Sequence, residues 1–198
     1  MYESIKASAD GWGDGGSPPP AAPPPAAHLR PLALAGMGLA LALAVQALGL
    51  PNPVTGVAVN ALFIVLCGLA GPRAAGAVGL LTPLGAMITG HLPPLLLPLA
   101  PFIAAGNVCY VLGYAWSATW GAPWRWVVGP GMKSAIIGAG GWMLLHLVAW
   151  AAALRGALLA IVTLQLATAG GGVLLGEFLL ARLAARGRSS VSCDVARR

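Results

Sequence analysis

Seven polar side chains sit singly within long apolar runs: Gln46, Asn60, Thr89, His91, Asn107, His146 and Gln165. Amides, a hydroxyl and two imidazoles can orient a small molecule through hydrogen bonds, and an imidazole can also exchange a proton. Trp142, His146 and Trp150 recur every four residues, so one helix face carries two indoles around an imidazole. Such a wall suits a flat, polar ring. Nucleophilic and metal chemistry lack their usual supports. There is no HExxH, no GxSxG, no carboxylate pair within the apolar runs and no His/Cys cluster at ligand spacing. Cys67, Cys109 and Cys193 are isolated. The expectation is a binding protein rather than an enzyme, with no cofactor and no metal.

Six apolar runs between Pro31 and Arg182 position these residues, each closed by a short Pro- or Gly-rich break. The chain of 198 residues is 58% hydrophobic and only 8% charged, with a mean hydropathy of +0.83. A soluble domain with so few charges would aggregate, so the sequence predicts an all-α polytopic membrane bundle. The expected helices are 31–50, 53–70, 74–90, 98–118, 130–150 and 157–184, with prolines at first-turn positions and at the breaks. A span needs roughly 17 to 25 residues, which puts the second and third at the short end. Residues 1–29 are a low-complexity Pro/Gly/Ala leader, read as a disordered cytoplasmic extension. Residues 30–184 form the six-helix domain and 185–198 a basic cytoplasmic tail.

The net charge of +6 comes from basic residues at loops and ends, a pattern of topology rather than of nucleic-acid binding. With both termini inside, Lys6, Arg30, Arg73, Arg125, Lys133 and the five arginines from Arg182 onward face the cytoplasm, leaving only Arg155 outside. The positive-inside rule therefore favours an N-in/C-in arrangement. Trp116, Trp120, Trp124 and Trp126 then mark the inner interface and Trp150 the outer one.

In that topology the seven polar residues gather toward the outer surface. For any one of them, interhelical glue worth roughly 0.6 to 2 kcal/mol is a sufficient role. Their shared depth is the argument for a pocket, and both readings stand for the group. Lys133 and Glu177 are each 22 positions from Arg155, so they are expected to face each other across the hairpin toward the cytoplasmic side, away from the pocket, as a structural ion pair or two snorkelling side chains rather than a substrate contact. Gly36, Ala40 and Ala44 form a small-residue stripe that lets another helix approach closely.

The stretch from Leu50 to Asn107 resembles the substrate-binding S components of energy-coupling factor (ECF) transporters. The resemblance rests on Pro51 to Gly56, Asn60, Thr82-Pro83, Pro101-Phe102-Ile103 and Gly106-Asn107, and on the late run Gln165 to Gly172. It implies a subunit of the cell membrane that captures a vitamin-like molecule from outside. It also implies association with a coupling transmembrane subunit and two ATPase subunits, which supply the hydrolysis for which this chain has no motif. The family's stripe on the first helix, matched by Gly36, Ala40 and Ala44, packs on the coupling subunit. Its ligand sites lie between the loops after helices one and three and helices four to six. The expected ligand contacts are Asn107, Trp142, His146, Gln165 and Asn60, with Asn52, Thr55 and His91 from the loops. The Pro-rich leader departs from the family, and the binding residues of its riboflavin, thiamin, biotin and folate branches are not recognisable. The alternative is a structural or assembly membrane protein with no small ligand.

Overall fold

The structure, a computed structural model, describes residues 26–147 and 153–195. Six α-helices account for nearly all of them: α1 (Ala26–Ala47), α2 (Asn52–Ala70), α3 (Pro72–Ile88), α4 (Ala100–Ser117), α5 (Ala122–Leu147) and α6 (Ala153–Val195). No strand occurs among the described residues. The breaks fall where proline and glycine demand them. Pro51 precedes α2 in extended conformation and Pro53 occupies its first turn. Gly71, at φ 88°, turns the chain directly into α3, a backbone conformation that a side chain would disfavour. The proline-rich segment before α4 is a 3₁₀ turn, Pro94–Leu99.

Four helical stretches are long and apolar enough to cross a membrane: Leu29–Ala47, Asn52–Ala70, Pro94–Trp120 and Leu158–Arg186. This fits a multi-pass membrane protein. The surface agrees: Leu32, Met37, Leu80, Leu84, Ile88, Leu159 and Leu174 are exposed, while Asn60, Thr82, Asn107 and Lys133 are buried. Apolar residues outside and polar residues inside reverse the arrangement of a water-soluble protein.

The helices α2, α3, α4, α5 and α6 pack side to side in a closed ring, and α1 lies against α2 and α3. Small residues set the closest approaches. A Cβ on Gly172 would run into Asn60 and the backbone of Ala61, and one on Gly176 would meet Ile64 at 2.6 Å. Gly171, whose Cβ would meet Val57 at 3.1 Å, and Gly172 are thus a packing face for α2, whereas a Cβ on Gly170 would meet nothing. On the other side of the ring, a Cβ on Gly129 would meet the Tyr110 carbonyl at 2.9 Å, fixing α5 on α4. Phe63, Ile64, Tyr110, Val111 and Val173 fill the centre.

Two helix boundaries differ from expectation, with consequences for the site. Helix α5 begins at Ala122, eight residues ahead of Pro130, which lies buried within the helix. Neighbouring helices satisfy and shield the backbone that such a proline frees. The Trp-rich connection is correspondingly short: a 3₁₀ turn over Ala118–Trp120 and Gly121 at φ 104°. Helix α6 begins at Ala153, so Arg155 lies in a helical first turn and not at the hairpin apex. Trp150 and most of the leader, residues 1–25, fall outside the described residues. Residues 26–29, expected in the leader, open α1. The helix of the C-terminal segment continues to Val195.

Candidate functional site

A cavity of about 170 Å³ opens at one end of the bundle. On the order of ten water-sized spheres fit in that volume, the scale of a small metabolite. Its walls come from the C-terminal end of α1, the start of α2, the end of α3, the loop before α4, the start of α4, the middle of α5 and the early part of α6. These segments meet because short breaks reverse the chain between successive helices, alternating their ends. The opposite end of the bundle carries Arg30, Arg73, Arg125 and Arg182 and the exposed cluster Trp116, Trp120, Trp124 and Trp126.

Of the eight residues expected to contact a ligand, six line this cavity: Asn52, Thr55, Asn60, His91, Asn107 and Gln165. Gln46 joins them. The mouth holds exposed Asn52 and Pro93 with half-buried His91. Deeper, Gln46, Thr55, Asn60, Thr82, Asn107 and Thr168 are all buried. Several are tied to the scaffold. Thr55 Oγ1 donates to the Leu50 carbonyl at 3.2 Å, Thr82 Oγ1 to Val78 at 2.6 Å and Thr168 Oγ1 to Gln165 at 3.3 Å. Asn107 Nδ2 donates to the Gly79 carbonyl at 3.0 Å, bridging α4 and α3. That bond fixes the amide's orientation and leaves Asn107 Oδ1 buried with no partner, as is Gln46 Oε1.

Lys133, expected near the cytoplasmic side and away from the pocket, lies in the cavity wall, where its Nζ donates to Asn60 Oδ1 at 2.7 Å. With α5 starting at Ala122, position 133 is eleven residues along a 26-residue helix, near mid-depth and not in the first turn. The expected Lys133–Glu177 pair does not form. A Cβ on Gly138 would meet Val162 and one on Gly141 would meet Leu158, so α5 and α6 pack in a register centred near position 150 and not 155. Position 133 is then level with 167, beside Thr168, and position 177 with 123, beside Arg125. Glu177 Oε1 accordingly meets Arg125 Nη1 at 3.3 Å. It also accepts from Tyr114 Oη at 3.3 Å, while Oε2 accepts from Trp126 Nε1 at 2.9 Å.

Trp142 and His146 do not line the cavity. Both are exposed, with ring centroids 4.3 Å apart and His146 Nδ1 donating to the Trp142 carbonyl at 2.8 Å. Trp142 is nine residues beyond Lys133, about 900° of helical rotation and hence half a turn away. Once Lys133 faces inward, Trp142 and His146 must face outward. Thr89, exposed and bonded to the Gly85 carbonyl at 3.0 Å, is likewise outside the cavity. Gly36, Ala40 and Ala44 are exposed on α1.

Sequence reasoning missed three contributors. Lys133 was assigned to Glu177 by the misplaced hairpin centre. Thr82 and Thr168 entered only as parts of the family-like motifs and not as ligand contacts, because threonine in a membrane helix commonly bonds its own backbone. Among the described residues no group of three His, Cys, Asp and Glu side chains converges as metal ligands would. What the cavity offers is amide and hydroxyl hydrogen bonding beside one ammonium group.

No family model matches the chain, and comparison with curated proteins and with solved structures finds no match.

Proposed function

We propose that this protein is the substrate-capture subunit of a micronutrient uptake system, an S component of the ECF type in the cell membrane. The observation that carries this reading is the cavity: six of the expected contact residues, from four separate segments, line one end of the bundle. Interhelical glue needs no cavity, and it pairs its polar atoms. Here Gln46 Oε1 and Asn107 Oδ1, on two side chains of the cavity lining, are buried without hydrogen-bond partners.

In this reading all six helices span the membrane, with both termini cytoplasmic. Support comes from Arg30, Arg73, Arg125 and Arg182, which lie at the bundle end opposite the cavity, as the positive-inside rule favours when the cavity faces outward. A vitamin-like molecule enters past Asn52, His91 and the proline-rich loop and is held by Thr55, Asn60, Asn107 and Gln165. The protein performs no chemistry on it. Release to the cytoplasm requires a coupling transmembrane subunit and two ATPase subunits, and the exposed stripe Gly36, Ala40 and Ala44 on α1 is the surface offered to the former.

The structural or assembly role retains one specific support. Asn107 Nδ2 to Gly79 and Tyr110 Oη to the Ala169 carbonyl, both at 3.0 Å, are interhelical bonds of the glue kind. The two readings separate by mass spectrometry of small molecules released from gently purified protein. Capture predicts one compound at near-stoichiometric yield, lost in Asn60→Leu. A wild-type protein that carries nothing and is not stabilised by any member of a vitamin panel would favour the structural role.

A further inference from the structure

Lys133 is 4% exposed, and among the described residues its only hydrogen-bond partner is the neutral amide of Asn60. No aspartate or glutamate lines the cavity. Glu177 is occupied by Arg125, Tyr114 and Trp126 at the other end of the bundle. The Tyr110 ring, 5.6 Å from Lys133 Nζ, is the nearest further stabilising group, and its attraction for a cation is weak. A buried ammonium without a counter-ion is costly, and intramembrane charges normally pair or mark a substrate path. An ammonium has three donors, of which Asn60 takes one.

In the same lining, Gln46 Oε1 and Asn107 Oδ1 are unpartnered acceptors, both on side chains at most 5% exposed. The cavity lining therefore includes one cationic side chain and two amide side chains whose oxygens have no partner. Resting on the capture reading, we propose that the ligand is a small monocarboxylate. Its carboxylate seats on Lys133 Nζ, and a separate N–H or O–H group on the molecule donates to Asn107 Oδ1 or Gln46 Oε1. A phosphate fits poorly: it carries up to two charges against one ammonium, and the lining includes no arginine to share them. Lys133 is then the residue that selects for charge, while the two amides select for a donor at the far end of the molecule.

The test uses the full-length protein in mild detergent, with matched probe pairs that differ only in charge: benzoate against benzamide and nicotinate against nicotinamide. Binding is read by thermal shift and native mass spectrometry, alongside the identity of any compound that co-purifies. The expected result is that each carboxylate binds roughly tenfold or more tightly than its amide, and that any co-purifying compound bears an acid group. Lys133→Gln should abolish the preference, and Lys133→Arg should retain part of it. The carboxylate–amide preference is read on the wild type alone, so it stands even if the variants misfold. Wild-type protein that binds amides as well as acids, or that carries a neutral or cationic compound, overturns the charge assignment and leaves capture intact. If no compound is retained and no probe binds, both fall together.

Discussion

Lys133 and Glu177 are the two charges set within otherwise apolar helical surroundings, and the bundle treats them oppositely. Glu177 is enclosed: both carboxylate oxygens are bonded, to Tyr114 and Arg125 through one and to Trp126 through the other, linking α4, α5 and α6 at the Trp-rich end. Lys133 is more deeply buried, yet among the described residues its one hydrogen bond is to Asn60, and it shares the cavity lining with the unpaired amides of Gln46 and Asn107. Enclosure of the first kind fixes packing. The second kind leaves two ammonium donors without a partner among the described residues, which packing alone gives no reason to preserve. In the capture reading proposed above, one end of this molecule holds its helices together and the other holds the ligand.

That contrast can be broken from either side. The largest effect is expected where the shared scaffold is struck. Gly172→Val would drive a branched side chain into Asn60 and the backbone of Ala61, costing about 3 kcal/mol and lowering both the melting temperature and ligand retention. Next, Glu177→Leu should cost about 2 kcal/mol, because Arg125, Tyr114 and Trp126 lose a common acceptor. Ligand retention per folded molecule should not change; a loss there would show that the two ends are coupled.

Lys133→Met sharpens the comparison, for it inverts the pattern. Replacing a buried charge by an apolar chain of similar length is commonly neutral or stabilising. The melting temperature should hold or rise while retention of the co-purifying compound falls at least roughly tenfold. A fall in melting temperature as large as that of Glu177→Leu would instead mark Lys133 as structural. The smallest effect is expected at Trp142→Ala and His146→Ala, within about 0.5 kcal/mol and without change in retention, since both side chains lie on the outward face of α5. Loss of ligand on substituting His146 would return the site to the aromatic wall and remove the basis for the cavity.

The local rules served best where they act over a few residues. Pro51, Pro53, Gly71, Pro72 and the prolines Pro93, Pro94 and Pro98 punctuate the chain where the helices break, since a fixed φ or a missing N–H acts without reference to distant contacts. Single polar residues in apolar runs likewise marked Asn60, Asn107 and Gln165, because a polar group in such a helix turns away from lipid toward an interior or a cavity. The same rules failed at Pro130. Taken alone it reads as a helix start, yet tertiary contacts with α4 carry α5 through it. Eight residues of error there, and five at the hairpin, moved Lys133 out of the site and paired it with the wrong carboxylate.

The sequence by itself therefore determined the apolar helical character of this protein, the number of its helices and the end at which its polar residues collect. These follow from composition, proline placement and charge bias. Only the tertiary structure decided which face of each helix turns inward. For α5 that choice admitted Lys133 and excluded Trp142 and His146. The hydrophobic pattern does not fix the rotation of a helix that is apolar nearly all round. Close packing of small residues does, at Gly129 against Tyr110 and Gly140 against Phe102, and helix–helix packing of that kind cannot be read one helix at a time.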